Sequence, residues 1–321
     1  MGQQAPRYLS GIQPSGQLHL GNYFGAIRQH IINQDNAFYF LANYHALTTV
    51  HDPAALRQHT FEAATTYLAL GLDPERATLF RQSDVPEVAE LTWLLSTVAG
   101  MGLLERAVSF KEKKDKGINA SVGLFTYPIL MAADILIYDS DVVPVGSDQV
   151  QHLEMTRDMA QGFNALYGET FKLPTYELGT PVPVPGIDGQ KMSKSYGNTI
   201  PIFLRGKDLK KRLLAIETDS TPLEDPKNPD ACNVFALYRL FATPDQQLDM
   251  RAKYAAGHYG YGHAKLALLD LITAHFSNAW DRYDHLLTHP SQVEDALQLG
   301  ASRARPIARA TLDRARTACG L

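Results

Sequence analysis

Two short segments carry residue types suited to handling phosphate. The first is Ser10-Gly11-Ile12-Gln13-Pro14-Ser15-Gly16-Gln17-Leu18-His19-Leu20-Gly21-Asn22, which follows a β-rich run and leads into a helical pattern. In an open α/β sheet, ligands sit outside the carboxyl ends of strands, where helix N-termini present N–H groups to anions. Gly11, Gly16 and Gly21 permit close approach of backbone to ligand. His19 and Asn22 stand three apart, so both can face one ligand once the helix has begun. Taken alone, the stretch reads equally well as a Gly/Pro turn with a surface histidine. The second segment is Lys191-Met192-Ser193-Lys194-Ser195, between Gly186 and Gly189 on one side and Gly197 on the other, with Asp188-Gly189 reading as a tight turn. Two lysines on a glycine-hinged loop can close over a triphosphate, or they can be a solvated basic loop. A given pentapeptide arises by chance in about one chain in ten thousand of this length, which favours the phosphate reading for the two segments together.

A third group of residues suits an aromatic ligand. Asp134 lies within Met131-Ala132-Ala133-Asp134-Ile135-Leu136, and on a helix Tyr127, Leu130, Met131, Asp134 and Tyr138 share one face. A carboxylate among so much apolar surface costs several kcal/mol unless it finds a donor. An indole N–H is such a donor, its ring packing on Met131, Val143 and Val145; local backbone or an arginine would also serve. A site that hydrogen-bonds a substrate N–H or O–H rejects analogues lacking it by roughly 10⁴–10⁵.

The elements that must hold these residues are readable in outline. Strands are expected over Arg7–Ile12, Ala37–Leu41, Ala77–Gln82 and Val142–Val145, separated by helical patterns, which predicts a parallel sheet with crossover helices. Asp52 before Pro53 marks the start of a helix through Leu70, and Pro86 opens another through about Ala99. After about Leu204 strand signals give way to helices over Lys207–Ile216, Asp245–Tyr254, Gly262–Leu287 and Ser291–Ala318. The expected organisation is an α/β domain over residues 1–204 and a helical domain over 205–321, its last helix able to pack back on the first domain.

Composition narrows the class. The chain has 321 residues, 45% hydrophobic and 20% charged, with a formal net charge of −4, so any polyanion contact must be local. Residues 301–321 carry Arg303, Arg305, Arg309, Arg314 and Arg316 against Asp313, net +4, and residues 207–212 are net +3. These are candidate phosphate contacts or simply solvated helix faces. Two cysteines, Cys232 and Cys319, exclude a disulfide scaffold and a four-cysteine metal site. No run approaches the roughly 18 apolar residues of a membrane span, and the start lacks a signal-peptide pattern, so a reduced cytoplasmic setting is expected.

His-Leu-Gly-Asn after the first strand and Lys-Met-Ser-Lys-Ser about 170 residues later resemble the two signature motifs of class I aminoacyl-tRNA synthetases. Ser-Gly-Ile-Gln-Pro-Ser-Gly with Gly-Asn-Tyr is similar to the bacterial-type tryptophanyl enzymes more than to the tyrosyl ones. The likeness continues through Tyr127–Leu136 and Pro144-Val145-Gly146-Ser147-Asp148-Gln149, covering residues 7–200. It implies a Rossmann-like doubly wound parallel sheet with a C-terminal all-helical domain that binds the tRNA anticodon, and a homodimer, with Leu103–Lys116 at the position of the dimer-side insertion.

The resemblance also implies roles. ATP would be held by Gln13, Ser15, His19, Gly21, Asn22, Gly146, Asp148, Lys191, Met192, Ser193, Lys194 and Ser195, with Mg²⁺ carried on its phosphates. Among these, Lys191 and Lys194 would neutralise the leaving pyrophosphate, Gln13, His19 and Asn22 would fix phosphate geometry, Gly146 and Asp148 would hold the ribose, and Gly21 and Met192 would meet the adenine. Tryptophan would be held by Leu9, Gln13, His45, Met131, Asp134, Val143, Val145 and Gln149, with His152 and Met155 behind them. Two positions depart from the usual pattern. Asn22 replaces the second histidine of the first motif, as in other tryptophanyl enzymes, and Leu9 stands where phenylalanine is frequent. A tyrosyl synthetase, a small-molecule nucleotidyltransferase and a non-catalytic synthetase-like binding protein are the competing readings.

Overall fold

A computed structural model describes residues 6–107, 121–146, 149–179 and 182–321. Among the described residues five parallel strands form one sheet: β1 (Tyr8–Ile12), β2 (Ala37–Leu41), β3 (Thr78–Arg81), β4 (Val142–Val145) and β5 (Thr175–Leu178), in the order β3-β2-β1-β4-β5. The order reverses between β1 and β4, and that switch point is where an open parallel sheet leaves a crevice at its carboxyl edge. All five residues of β2 are buried, as a strand covered on both faces must be, and its Ala-Phe-Tyr-Phe-Leu run has no polar alternation. β5 was not expected from the sequence. All four of its residues are exposed, so this edge strand lacks the apolar signature of the others.

Helices cover both faces. Helix α1 (Asn43–Ala46) follows β2, and α2 (Pro53–Leu70) begins where Asp52 accepts a hydrogen bond from the Ala54 N–H at 2.9 Å and ends at Gly71, whose φ is +108°. Then come α3 (Glu87–Ser96), α4 (Val122–Leu136) and α5 (Val150–Tyr167). The later helices are α6 (Gly206–Leu214), α7 (Asn233–Tyr238), α8 (Pro244–Ala256), α9 (Tyr261–Thr288) and α10 (Pro290–Cys319). Among the described residues no helix is long and apolar enough to cross a membrane.

The helical region has no core of its own. Phe235, Tyr254, Phe276 and Trp280 share one cluster with Leu20, Tyr39 and Tyr67 beside the sheet, and the Trp280 Nε1–H donates to the Ile202 carbonyl at 2.9 Å. The last helix lies on the sheet itself. Gly300 sits so close to β3 that a Cβ there would fall 1.9 Å from the Leu79 carbonyl oxygen, and Ala301, Ala304, Ala308 and Ala315 continue the same buried edge. Polar clamps hold it: the Arg81 guanidinium donates to both oxygens of Glu294 at 2.8 and 2.6 Å, Arg303 pairs with Glu75, Arg305 with Glu87, Arg314 with Asp139 and Arg316 with Glu90. The terminal arginines, open in sequence to reading as phosphate contacts or as solvated helix faces, here hold the helix to the sheet. Four of the five are committed to carboxylates of the sheet domain.

Replacing Gly300 with alanine should lower stability by about 2–3 kcal/mol, because the obstructing atoms are backbone and cannot rotate away. Gly162→Ala, in α5 with open space at its Cβ, should instead stabilise by about 0.5–1 kcal/mol. Urea denaturation of both variants checks the contrast.

Candidate active site

The first phosphate segment leaves β1 at its carboxyl end. Gly11 has no room for a side chain, since a Cβ would lie 2.5 Å from the Phe40 ring. The chain then turns through Gly16, at φ +104°, and reaches His19, which caps the N-terminus of a helical stretch beginning at Leu20. The Asn22 Oδ1 accepts from the His19 backbone N–H at 3.1 Å, so its carboxamide oxygen is turned to the cap. The Gln13 amide donates to the Thr49 hydroxyl at 3.4 Å. Ser15 is exposed beside it.

The lysine-bearing segment closes onto this turn. The Leu20 N–H donates to the Ile200 carbonyl at 3.0 Å, and the Ile202 N–H donates to the Leu18 carbonyl at 3.2 Å. The Lys194 ammonium donates to the carbonyls of Gly16 at 2.9 Å and Ser15 at 3.3 Å. The Gly21 N–H points at the Met192 sulfur, 3.4 Å away, and Met192 is buried. A Cβ at Gly21 would come 2.9 Å from the His19 ring, so glycine is needed for the close approach. Lys191 is exposed, and the Ser193 hydroxyl accepts from the Ser195 N–H at 3.3 Å.

Two residues that the sequence reading passed over set the shape of this loop. Asn198, 2% exposed, accepts from the Ser193 N–H at 2.8 Å and donates to the Asp188 carboxylate at 2.8 Å and to the Lys191 carbonyl at 3.2 Å. Arg212, counted above with the basic patch of 207–212, instead donates to the carbonyls of Gly197 at 2.5 Å and Thr199 at 2.8 Å. It anchors the loop to α6.

The aromatic pocket gathers at the ends of other strands. Asp134 on α4 is 1% exposed, and burial pushes its carboxyl up, against the opposing pull of hydrogen bonds from His45 and Gln82. The His45 Nε2 lies 2.8 Å from Asp134 Oδ2, and the Gln82 amide donates to Oδ1 at 2.8 Å and Oδ2 at 2.9 Å. Neither a local cap nor an arginine satisfies this carboxylate. Gln82 went unnoticed as a site residue, although its place at the carboxyl end of β3 is the position from which strands present ligand groups.

The remaining residues divide between core and rim. Leu9, Val143 and Val145 belong to the buried cluster against that side of the sheet, with Met131 packed partly exposed on it; Leu9 is 1% exposed. The Tyr127 hydroxyl pairs with His152 Nε2, and Met155 is buried behind. Gly146 is exposed at the end of β4, and the Gln149 N–H donates to its carbonyl at 3.0 Å. Asp148, most of Leu103–Lys116 and the first five residues lie outside the described residues.

Burial, assisted by the Lys194 charge, pushes the His19 imidazole down to about 4, so it meets a ligand as a neutral ring. Burial also lowers the Lys194 ammonium, opposed by the Glu62 carboxylate. Among the described residues no three His, Cys, Asp or Glu side chains cluster as a metal site.

A lysine loop zipped to a glycine turn at the switch point of a parallel sheet agrees with the motif resemblance to class I aminoacyl-tRNA synthetases. The family model described as class I tRNA synthetases (W and Y) matches residues 1–277. The chain is 55% identical over 320 residues to the tryptophan–tRNA ligase of Rhodopirellula baltica, covering 98% of this chain and 99% of that one. It is 53% identical over 319 residues to the tryptophan–tRNA ligase of Fusobacterium nucleatum, covering 98% of each. The crystal structure of tryptophanyl-tRNA synthetase from Campylobacter jejuni, complexed with ADP and tryptophan, superposes with a TM-score of 0.94 at 48% identity, covering 98% of this chain and 100% of that one. The chain belongs to the tryptophan–tRNA ligases.

The His19 ring should titrate near 4 by NMR, against 6.5 for a free imidazole. Its folded-state value lies below the unfolded one, so the unfolded chain binds more protons between them. The stability it contributes is complete above pH 6.5 and is lost as pH falls toward 4. His30, also pushed to about 4 by burial, adds a loss of the same sign, so His19→Gln should remove only part of the acid sensitivity in melts across that window.

Proposed function

We propose that the chain activates L-tryptophan with ATP and transfers it to tRNA(Trp). The observation that carries this reading is the meeting of Lys191–Ser195 with the turn around Gly16 at the sheet's switch point, beside the pocket of Asp134. In the first step the tryptophan carboxylate attacks the α-phosphorus of ATP, the bond to the bridging oxygen breaks, and pyrophosphate leaves. The carboxylate is already anionic at neutral pH, so no side chain need act as a base. Rate comes from alignment and from neutralising charge on the leaving group. Lys191 and Lys194 supply that charge, the latter moving from the Ser15 and Gly16 carbonyls to the phosphates. Gln13, Ser15, His19 and Asn22 with Ser193 and Ser195 orient the triphosphate. Met192 and Gly21 receive the adenine, and Gly146 and Asp148 the ribose.

In the second step a terminal ribose hydroxyl of the tRNA attacks the acyl carbon of the adenylate, and AMP leaves. Asp134 accepts the indole N–H, with His45 beside it. Leu9, Met131, Val143 and Val145 back the ring, and Gln149 meets the substrate amino group. The lysine and N–H donors of the site suit phosphate oxygens and not a cation, so Mg²⁺ would be carried on the ATP phosphates, where it would help to neutralise their charge.

Residues 205–321 form the anticodon-binding part, with α10 serving as part of the sheet domain's cover. The exposed Lys207, Lys210 and Lys211 of α6 remain candidates for tRNA phosphates. The working form is a homodimer in the cytoplasm.

ATP–pyrophosphate exchange on purified protein tests the reading. Exchange should require tryptophan and not occur with phenylalanine; exchange with tyrosine alone would replace the amino-acid assignment. Lys194→Ala should lower kcat at least about 100-fold while leaving the KM for tryptophan nearly unchanged, as expected of charge that matters at the leaving group.

A further inference from the structure

The structure assigns Gln82 as a positioning residue that makes the pocket read a ring N–H; this deepens the reading in which Asp134 accepts that N–H. Gln82 is 1% exposed, and every polar atom of its side chain is committed. Its Oε1 accepts the Tyr44 backbone N–H at 2.9 Å. A backbone N–H can only donate, so it must meet the amide oxygen, and this fixes which way the carboxamide faces. The amide nitrogen is thereby directed at Asp134, 2.8 Å from Oδ1 and 2.9 Å from Oδ2. Flipping the amide would set its oxygen against a carboxylate and leave the Tyr44 N–H facing NH₂.

The surrounding chain holds this orientation from both sides. The Asn43 side chain and Ser83 exchange two hydrogen bonds, Asn43 Nδ2 to Ser83 Oγ at 2.7 Å and Ser83 N to Asn43 Oδ1 at 3.0 Å. That pair locks the segment after β3 to α1, the helix that carries His45 to Asp134. The neighbouring Arg81 bonds Asp84 at 2.7 Å as well as Glu294, so the backbone entering Gln82 is pinned too.

The consequence is a carboxylate with fixed polarity. Gln82 offers Asp134 only N–H, so both oxygens are kept as acceptors and the carboxyl plane cannot swing. A bound ring that brings an N–H meets a ready acceptor. A ring of the same shape without one leaves a buried carboxylate lone pair unmet, which is the arrangement that discriminates most strongly. Gln82 therefore acts on selectivity through Asp134, without touching the phosphates.

The test compares kcat/KM in pyrophosphate exchange for tryptophan and for its analogue with sulfur replacing the ring N–H, in the native protein, Asp134→Leu, Gln82→Met and Gln82→Leu. Gln82→Met and Gln82→Leu both remove the donor with side chains of different shape, and thermal melting checks that each variant is folded. The expected result is a fall of about tenfold or more in the ratio between the two substrates for both Gln82 variants, with the KM for ATP within about twofold of native. A ratio within twofold of native in both, while Asp134→Leu collapses it, overturns the role of Gln82 and leaves the pocket reading intact. A ratio unmoved in Asp134→Leu, which has no acceptor, overturns the pocket reading, and this inference with it.

Discussion

Everything in the site hangs on a short backbone zipper between segments far apart in the chain. The Leu20 N–H on the Ile200 carbonyl and the Ile202 N–H on the Leu18 carbonyl bind the end of the lysine loop to the turn after β1. Around this zipper the side chains follow: Met192 against Gly21, and Lys194 over Gly16. Glycine is demanded at Gly21 because the backbone already stands against the His19 ring. The loop's own form comes from the Asn198 carboxamide, which ties three points of the loop, while Arg212 joins its far end to α6. A loop so held keeps Lys194 over the turn that follows β1. That matters for a reaction in which the protein supplies alignment and charge rather than a proton acceptor.

The pocket beside it solves a different physical problem, that of a carboxylate removed from water. A buried, ionised Asp134 is tolerable only with donors on both oxygens. They arrive from two elements, His45 from the helix after β2 and Gln82 from the turn after β3, and those elements are bonded to each other. The sheet provides the means: neighbouring parallel strands end at one edge, so the turns that follow them meet there without any long excursion of the chain.

How far the sequence disclosed this depends on the range of the interaction. Strands Ala37–Leu41 and Val142–Val145 were readable to the residue, as uninterrupted apolar runs. Asp52-Pro53 gave away the start of α2 because a cap is a local device. β5 was not readable: Thr-Tyr-Glu-Leu at an exposed edge carries no burial pattern. The burial of Asp134 could be inferred from its apolar neighbours, but its donors could not, since Gln82 and His45 are brought to it only by the sheet order. The pairing of the terminal arginines was hidden for the same reason. Their carboxylates, Glu75, Glu87, Glu90 and Asp139, lie more than 150 positions earlier, and local charge says nothing about them.

The close seating of α10 on β3 has a consequence for the order in which the molecule is made. The helix that covers this face of the sheet, with Gly300 against the Leu79 carbonyl, is synthesised after all the strands described here. A nascent chain can therefore pair its strands on the ribosome, but one apolar flank of that sheet stays open until α10, thirty residues long, emerges. The Arg81–Glu294 fork then closes across more than two hundred residues of chain. Folding of this face of the sheet therefore waits on residues 290–319.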